Sequence, residues 1–216
     1  MKVGIFLGTG DVGRALGRGF VTLGHEVRLG ARTAGHEKAM EWVGEAGHNA
    51  SQGTFAEAAD FGEIVVFATL GVANPDVVRA IGPDSVAGKV VIDATNPLDF
   101  SKGFPPDLAI KGDDSGGETL QRLIPGARVV KAFNTVPNGL MFRPELPGGP
   151  PDMFIAGNDA AAKATVTKIL NDFGWPRVID FGGIEASRWL EAMCIAWVLA
   201  CSASGNWRQA FKLLEG

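Results

Sequence analysis

Tyrosine is absent from the 216 residues, and only three histidines and two cysteines are present. Without tyrosine there is no Tyr–Lys proton relay of the short-chain dehydrogenase kind. His25, His36 and His48 all fall in the first quarter of the chain. The rest of the inventory assembles into no acid–base constellation, so no residue is put forward as a catalytic acid or base, and none as a metal ligand. Two cysteines make no disulfide framework. Cys194 and Cys201 stand seven apart in an apolar segment, two helical turns or ~10 Å along one face, too far to bridge. They read as small buried hydrophobes in a reducing, cytoplasmic setting.

Strong charge is missing too. A net charge of −4 offers no basic field for nucleic acid or an anionic membrane, so an anionic ligand must be held by local donors. The stretch 189–203 is apolar, but Arg188 precedes it, Glu191 interrupts it, and it is shorter than a bilayer span. It reads as a buried or dimer-facing helix. At the N-terminus Lys2 is followed by an apolar run that breaks at glycine, which is not a signal peptide.

What is present is a globular mixture, 46% hydrophobic and 20% charged, with strands alternating with helices. Residues 3–7 (VGIFL) read as a strand buried on both faces. A glycine turn follows, then apolar spacing over 12–23 that predicts a helix ended by Gly24, then a strand at 26–29. Further strands are expected at 64–68, 90–93, 128–133, 153–156 and 178–181, with helices at 55–59, 76–81, 119–123, 160–173 and from 184 onward. Between them, 137–151 holds five prolines and three glycines and reads as a loop at the mouth of a site or a connection between halves. The expected fold is α/β, a doubly wound, mostly parallel Rossmann sheet. It is expected to form one domain over 1–216, with a core at 1–136 and a short α/β extension at 137–216.

The turn Gly8-Thr9-Gly10-Asp11-Val12-Gly13 sits after a strand and before a helix, as the dinucleotide fingerprint requires. Gly8 permits the tight turn, Gly10 lets backbone approach the pyrophosphate, and Gly13 allows close helix–strand packing. The helix start supplies free N–H donors and a positive dipole end. NAD sites place an acid at the end of the second strand. Here Gly30-Ala31-Arg32-Thr33 stands there, with Lys38 a little further on. A guanidinium can clasp a 2′-phosphate that a carboxylate would repel, so the expected cofactor is NADP(H).

Ligands in such sheets sit beyond the carboxyl ends of the strands. The remaining candidates are therefore Ala68, Thr69 and Leu70 after one strand, Asn96 after the next, and Ala132 and Asn134 after a third. Asn96 and Asn134 either orient a ring edge or satisfy turn backbone. Asp93 reads as structural, and Lys131, inside a strand, as either.

Taken together, the blocks Leu7-Gly8-Thr9-Gly10-Asp11-Val12-Gly13, Gly24-His25-Glu26-Val27, Gly30-Ala31-Arg32, Asp93-Ala94-Thr95-Asn96-Pro97, Val130-Lys131-Ala132-Phe133-Asn134-Thr135 and Arg188-Trp189-Leu190-Glu191 resemble the NADPH-dependent deazaflavin (coenzyme F-420) reductase family. That family is related to the dinucleotide-binding domain of pyrroline-5-carboxylate reductases. The resemblance implies hydride transfer between nicotinamide and a flat acceptor, a deazaflavin or flavin, with the cofactors carrying the chemistry. An imine reductase and a non-catalytic NADP(H) sensor are the alternatives. Asp11 stands where the family commonly has Asn, placing charge near phosphate unless the side chain turns away or caps the helix. Trp189 or Trp207 is a candidate for lining a ring pocket. A homodimer through the last helix, burying Trp189, Met193 and Trp197, is expected.

Overall fold

The apolar runs become the inner strands of one sheet. The computed structural model describes residues 1–7 and 10–216, so Gly8 and Thr9 of the glycine turn lie outside the described residues. The first half runs β1 (Lys2–Leu7), α1 (Asp11–Thr22), β2 (Glu26–Ala31), α2 (Glu37–Ala46), β3 (Ala50–Thr54), α3 (Phe55–Phe61), β4 (Ile64–Ala68), α4 (Asn74–Ile81) and β5 (Val90–Asp93). After a two-stranded ribbon, β6 (Leu98–Asp99) and β7 (Asp107–Leu108), come α5 (Gly116–Leu123), β8 (Arg128–Lys131), β9 (Met153–Gly157), α6 (Ala160–Asp172), β10 (Val178–Asp180) and α7 (Ser187–Ser204).

The sheet order is β3-β2-β1-β4-β5-β8-β9-β10. Neighbours are parallel except β8 and β9, which run antiparallel. Strands therefore spread in both directions from the β1/β4 pair, where Leu7 lies opposite Ala68. This reversal opens a crevice at the carboxyl ends, the usual ligand position. Helices cover both faces, and alternate side chains feed two cores. Ile5, Leu7 and Val66 pack with α1, α2 and α6; Phe6, Val65 and Phe67 pack with α3, α4 and α5.

Local chemistry sets the ends. Gly24 (φ 83) closes α1: its N–H donates to Val21 O and that of His25 to Phe20 O, the paired bonds of a Schellman cap. α5 begins three residues ahead of the expected 119 because the Ser115 side chain accepts from Glu118 N. The strand expected over 128–133 stops at Lys131, since Phe133 adopts φ 64 and turns out of the sheet. α2 and β3 were not legible. α2 buries only Ala39 and Trp42, and β3 (ASQGT) is a polar strand at the sheet edge.

The Pro-rich segment links β8 to β9 and is held by the C-terminal tail, with Asp152 N donating to Phe211 O (3.0 Å) and Arg208 Nη2 to Glu145 O (3.1 Å). Among the described residues, no helix is long and apolar enough to cross a membrane.

Candidate functional site

α1 starts at Asp11 with Gly10 as its N-cap, and no side chain caps it. The first-turn N–H groups thus keep their donors for a ligand. Asp11 does not fill that role. Its side chain is 68% exposed and faces Arg14 at 3.6 Å, so the charge turns away and is offset. A Cβ on Gly10 would meet nothing within 4 Å, while one on Gly13 would stand 2.9 Å from Leu7 Cδ1. Open space above the first glycine and tight contact below the second are what backbone approach to a pyrophosphate needs. Val12 packs against the core beneath.

A cavity of about 760 Å³ opens at the crevice. Ala31, Arg32 and Thr33, at the end of β2, form one rim with His36; Thr69 and Leu70, after β4, form the other. Phe55 and Val77 give it an apolar floor, and Asp76 is the one acid among the described lining residues. Asp76 is already paired with Arg79 at 2.7 Å. Five predicted residues are thereby brought together. His36 was not predicted; it precedes α2 by one position, and its Nδ1 is buried without a partner. The only signal for it was its place four residues after Arg32. Lys38 lies in the first turn of α2, outside the described lining.

The later candidates separate. Ala68 and Ala132 are buried in the core, 4% and 0% exposed, so they offer backbone rather than side chain. Asn96 and Asn134 bond to each other: Asn134 Nδ2 donates to Asn96 Oδ1, and Asn96 Nδ2 to Asn134 O, both at 2.9 Å. Asn134 Nδ2 also donates to Leu190 O at 2.9 Å. Neither Trp189 nor Trp207 is among the described residues lining the cavity. Trp189 is 68% exposed, and Trp207 packs on Trp197 (5.8 Å) and Phe104 (6.1 Å).

Behind the strand ends lies a buried charge network. Lys131 Nζ donates to Asp93 Oδ2 (2.9 Å) and Glu191 Oε1 (2.6 Å), and all three side chains are at most 1% exposed. Burial pulls the Lys131 ammonium down, but the two carboxylates outweigh it and hold its value above the ordinary one. Glu191 accepts further from Gly116 N (2.9 Å) and Gly117 N (3.0 Å) at the start of α5, where the dipole favours an anion. Asp93 Oδ1 takes Thr95 Oγ1 (2.7 Å), Thr95 Oγ1 takes Asn74 Nδ2 (3.0 Å), and Asn74 Oδ1 takes Thr69 Oγ1 (2.9 Å). The chain of bonds runs from α7 to the cavity wall. In sequence it was signalled only by a lysine in a strand and a glutamate in an apolar helix. Nearby, burial pushes the Cys194 thiol up to about 12, so it is no nucleophile at neutral pH.

Residues 2–97 match the family model described as NADP oxidoreductase, coenzyme F420-dependent. A solved structure of a candidate F420-dependent NADP reductase from Arthrobacter sp. FB24 is 39% identical, each chain covered in full, with a TM-score of 0.94. The F420-dependent NADP reductase of Methanothermobacter thermautotrophicus is 29% identical over 88% of this chain and 85% of its own length. A reductive aminase from Aspergillus terreus, solved with NADPH, is 20% identical over 94% of this chain and 62% of its own, with a TM-score of 0.66. That last likeness is one of fold.

Proposed function

Since this chain belongs to the coenzyme F420-dependent NADP oxidoreductase family, we propose that it transfers a hydride between NADP(H) and a flat acceptor, a deazaflavin or a flavin. The observation that carries the reading is the cavity rim. On it Arg32, Thr33 and His36 stand together at the end of β2, donors suited to a 2′-phosphate, and Asp76, the one acid in the described lining, is paired with Arg79.

The residues fit the cofactor. The uncapped N–H groups at the start of α1 would hold the pyrophosphate. Arg32 would clasp the 2′-phosphate with Thr33 beside it, and Thr69 and Leu70 on the opposite rim would hold the rest of the nucleotide. Lys38, outside the described lining, and Ala68, buried beneath it, would act at most in support. Asn96 and Asn134, tied to each other past the ends of β5 and β8, would bound the site on the nicotinamide side, with Ala132 offering backbone alone. When bound, NADPH supplies the hydride, so the protein needs to orient two flat rings and exclude water rather than donate a proton. A cytoplasmic setting suits such a dinucleotide enzyme.

Stopped-flow mixing of the NADPH-loaded protein with deazaflavin, flavin, quinone and imine acceptors tests this. Fast oxidation is expected with the deazaflavin or flavin. Turnover restricted to imines would transfer the reading to imine reduction, and tight NADPH binding without any turnover would mark a sensor.

The protein is also proposed to be a homodimer. On α7, Trp189, Ala192, Ala196 and Leu199 form an exposed apolar face at spacings of three and four, with Trp189 68% and Leu199 49% exposed. Met193 and Trp197 already pack on their own chain. A second copy of α7 is the proposed cover. Light scattering at micromolar concentration should give twice the chain mass, reduced to one by Trp189→Glu; a monomeric wild type overturns the proposal.

A further inference from the structure

The buried charge network sets the sense of each hydrogen bond between it and the cavity. Asp93, ion-paired with Lys131, is a carboxylate and can only accept. Thr95 Oγ1 lies 2.7 Å from Asp93 Oδ1, so the Thr95 hydroxyl proton is committed there; two acceptors at that distance with no proton between them would repel. Thr95 Oγ1 then has lone pairs alone for Asn74, which must present its amide nitrogen, at 3.0 Å. Asn74, the first residue of α4 and 2% exposed, is thereby held with its carbonyl oxygen toward Thr69, whose hydroxyl donates to it at 2.9 Å. This last bond is part-buried, the two before it buried, and Thr69 lines the cavity. A hydroxyl carries one proton, and that of Thr69 is committed inward. Toward the ligand it can only accept.

We propose that Thr69 accepts a hydrogen bond from a ribose hydroxyl of the bound dinucleotide, and that this contact fixes which way the nucleotide lies across the cavity. The proposal rests on the NADP(H) reading of the site. The facing rim has the opposite sense: the Arg32 guanidinium has donors alone, and the uncapped N–H groups at the start of α1 are donors too. An ionised phosphate, which only accepts, is matched at those two places and repelled at Thr69. The wall next to Thr69, formed by Leu70, Ala73 and Val77, is apolar and suits the face of a base. A sugar hydroxyl is the group that can give its proton to Thr69 while the neighbouring phosphates stay with the donors. The buried ion pair thus acts on the site through Thr95 and Asn74, besides its part in stability.

Thr69→Val keeps the shape and removes the acceptor, whereas Thr69→Ser keeps the acceptor. In calorimetric titrations the valine variant is expected to bind NADPH about 3- to 10-fold more weakly than wild type, and the serine variant within about twofold of it. Adenosine 2′,5′-bisphosphate, which lacks the nicotinamide half, locates the hydroxyl. An equal loss with this ligand places it on the adenosine ribose, and the 3′-deoxy bisphosphate should then bind wild type and valine variant alike. An unchanged bisphosphate affinity places it on the nicotinamide ribose. The proposal is overturned by a valine variant that binds NADPH as wild type does, or by a serine variant that falls as far. It is also overturned where the valine change weakens the 3′-deoxy ligand as much as its parent, which would mark general loosening. Should Thr69→Val fail to fold, Thr69→Ala, which opens Asn74 to water, is held to the same readouts. A wild type that binds neither NADPH nor the bisphosphate overturns the NADP(H) reading itself, an outcome in which the variants play no part.

Discussion

Arg32→Glu is expected to raise the dissociation constant for NADPH by about two to three orders of magnitude while leaving that for NADH within a few-fold. Charge-assisted bonds to a phosphate are worth roughly 1.5–3 kcal/mol each, and each 1.4 kcal/mol is tenfold in affinity. Losing two such bonds and adding a repelling carboxylate supports a change of about 3–4 kcal/mol. The new acid would stand where NAD sites hold the ribose hydroxyl, so NADH need not suffer. His36 and Thr33, on the same rim, keep the loss from being total. Fluorescence titration with both nucleotides measures it. Equal weakening of the two would show that Arg32 does not touch the 2′-phosphate.

Lys131→Met is expected to lower stability by about 3–5 kcal/mol, because it leaves Asp93 and Glu191 buried together without their shared cation. For a chain of this size each kcal/mol moves the melting temperature by about 2–4 °C, so a fall of roughly 10 °C should appear by calorimetry. The sign with pH follows from the raised value of Lys131. Its stabilisation is fully present below the unfolded lysine value, 10.5, and is lost as pH rises through the higher folded value. The gap between wild type and variant should thus stay constant through neutral pH and close only in strong alkali. A fall under about 2 °C would show that the network is hydrated or already neutral.

Much of this was legible because the central strands are nearly all apolar. β1 and β4 declare themselves by composition, and the glycine turn between β1 and α1 can be placed by its neighbours alone. The place of Arg32, after β2 on the cavity rim, was legible for a similar reason: it depends on chain distance from the turn. The parts that were missed depend on distant chain segments meeting. β3 is a strand because β2 offers it an edge, and its own residues carry no period-two apolar pattern. His36 enters the site because the loop after β2 is tied to β3, Gly35 N donating to Gln52 Oε1 at 2.9 Å. The meeting of Lys131 with Glu191, sixty residues apart, is fixed by α7 packing on β9 and against the start of α5, which no local pattern encodes. Phe133 shows the limit at one residue: an apolar run continues the strand in sequence, while the turn geometry ends it.

The reversal at β9 has one more consequence. Because β9 runs against β8, the chain leaves the sheet after Lys131 and re-enters it at Met153 on the same rim. The whole excursion between them has both feet on the ligand side, and the strands beneath would keep their register if it were lengthened, shortened or exchanged. Insertions or deletions within 144–150 would therefore fall on the carboxyl-end rim and leave the strand order, and everything before β8, as they are.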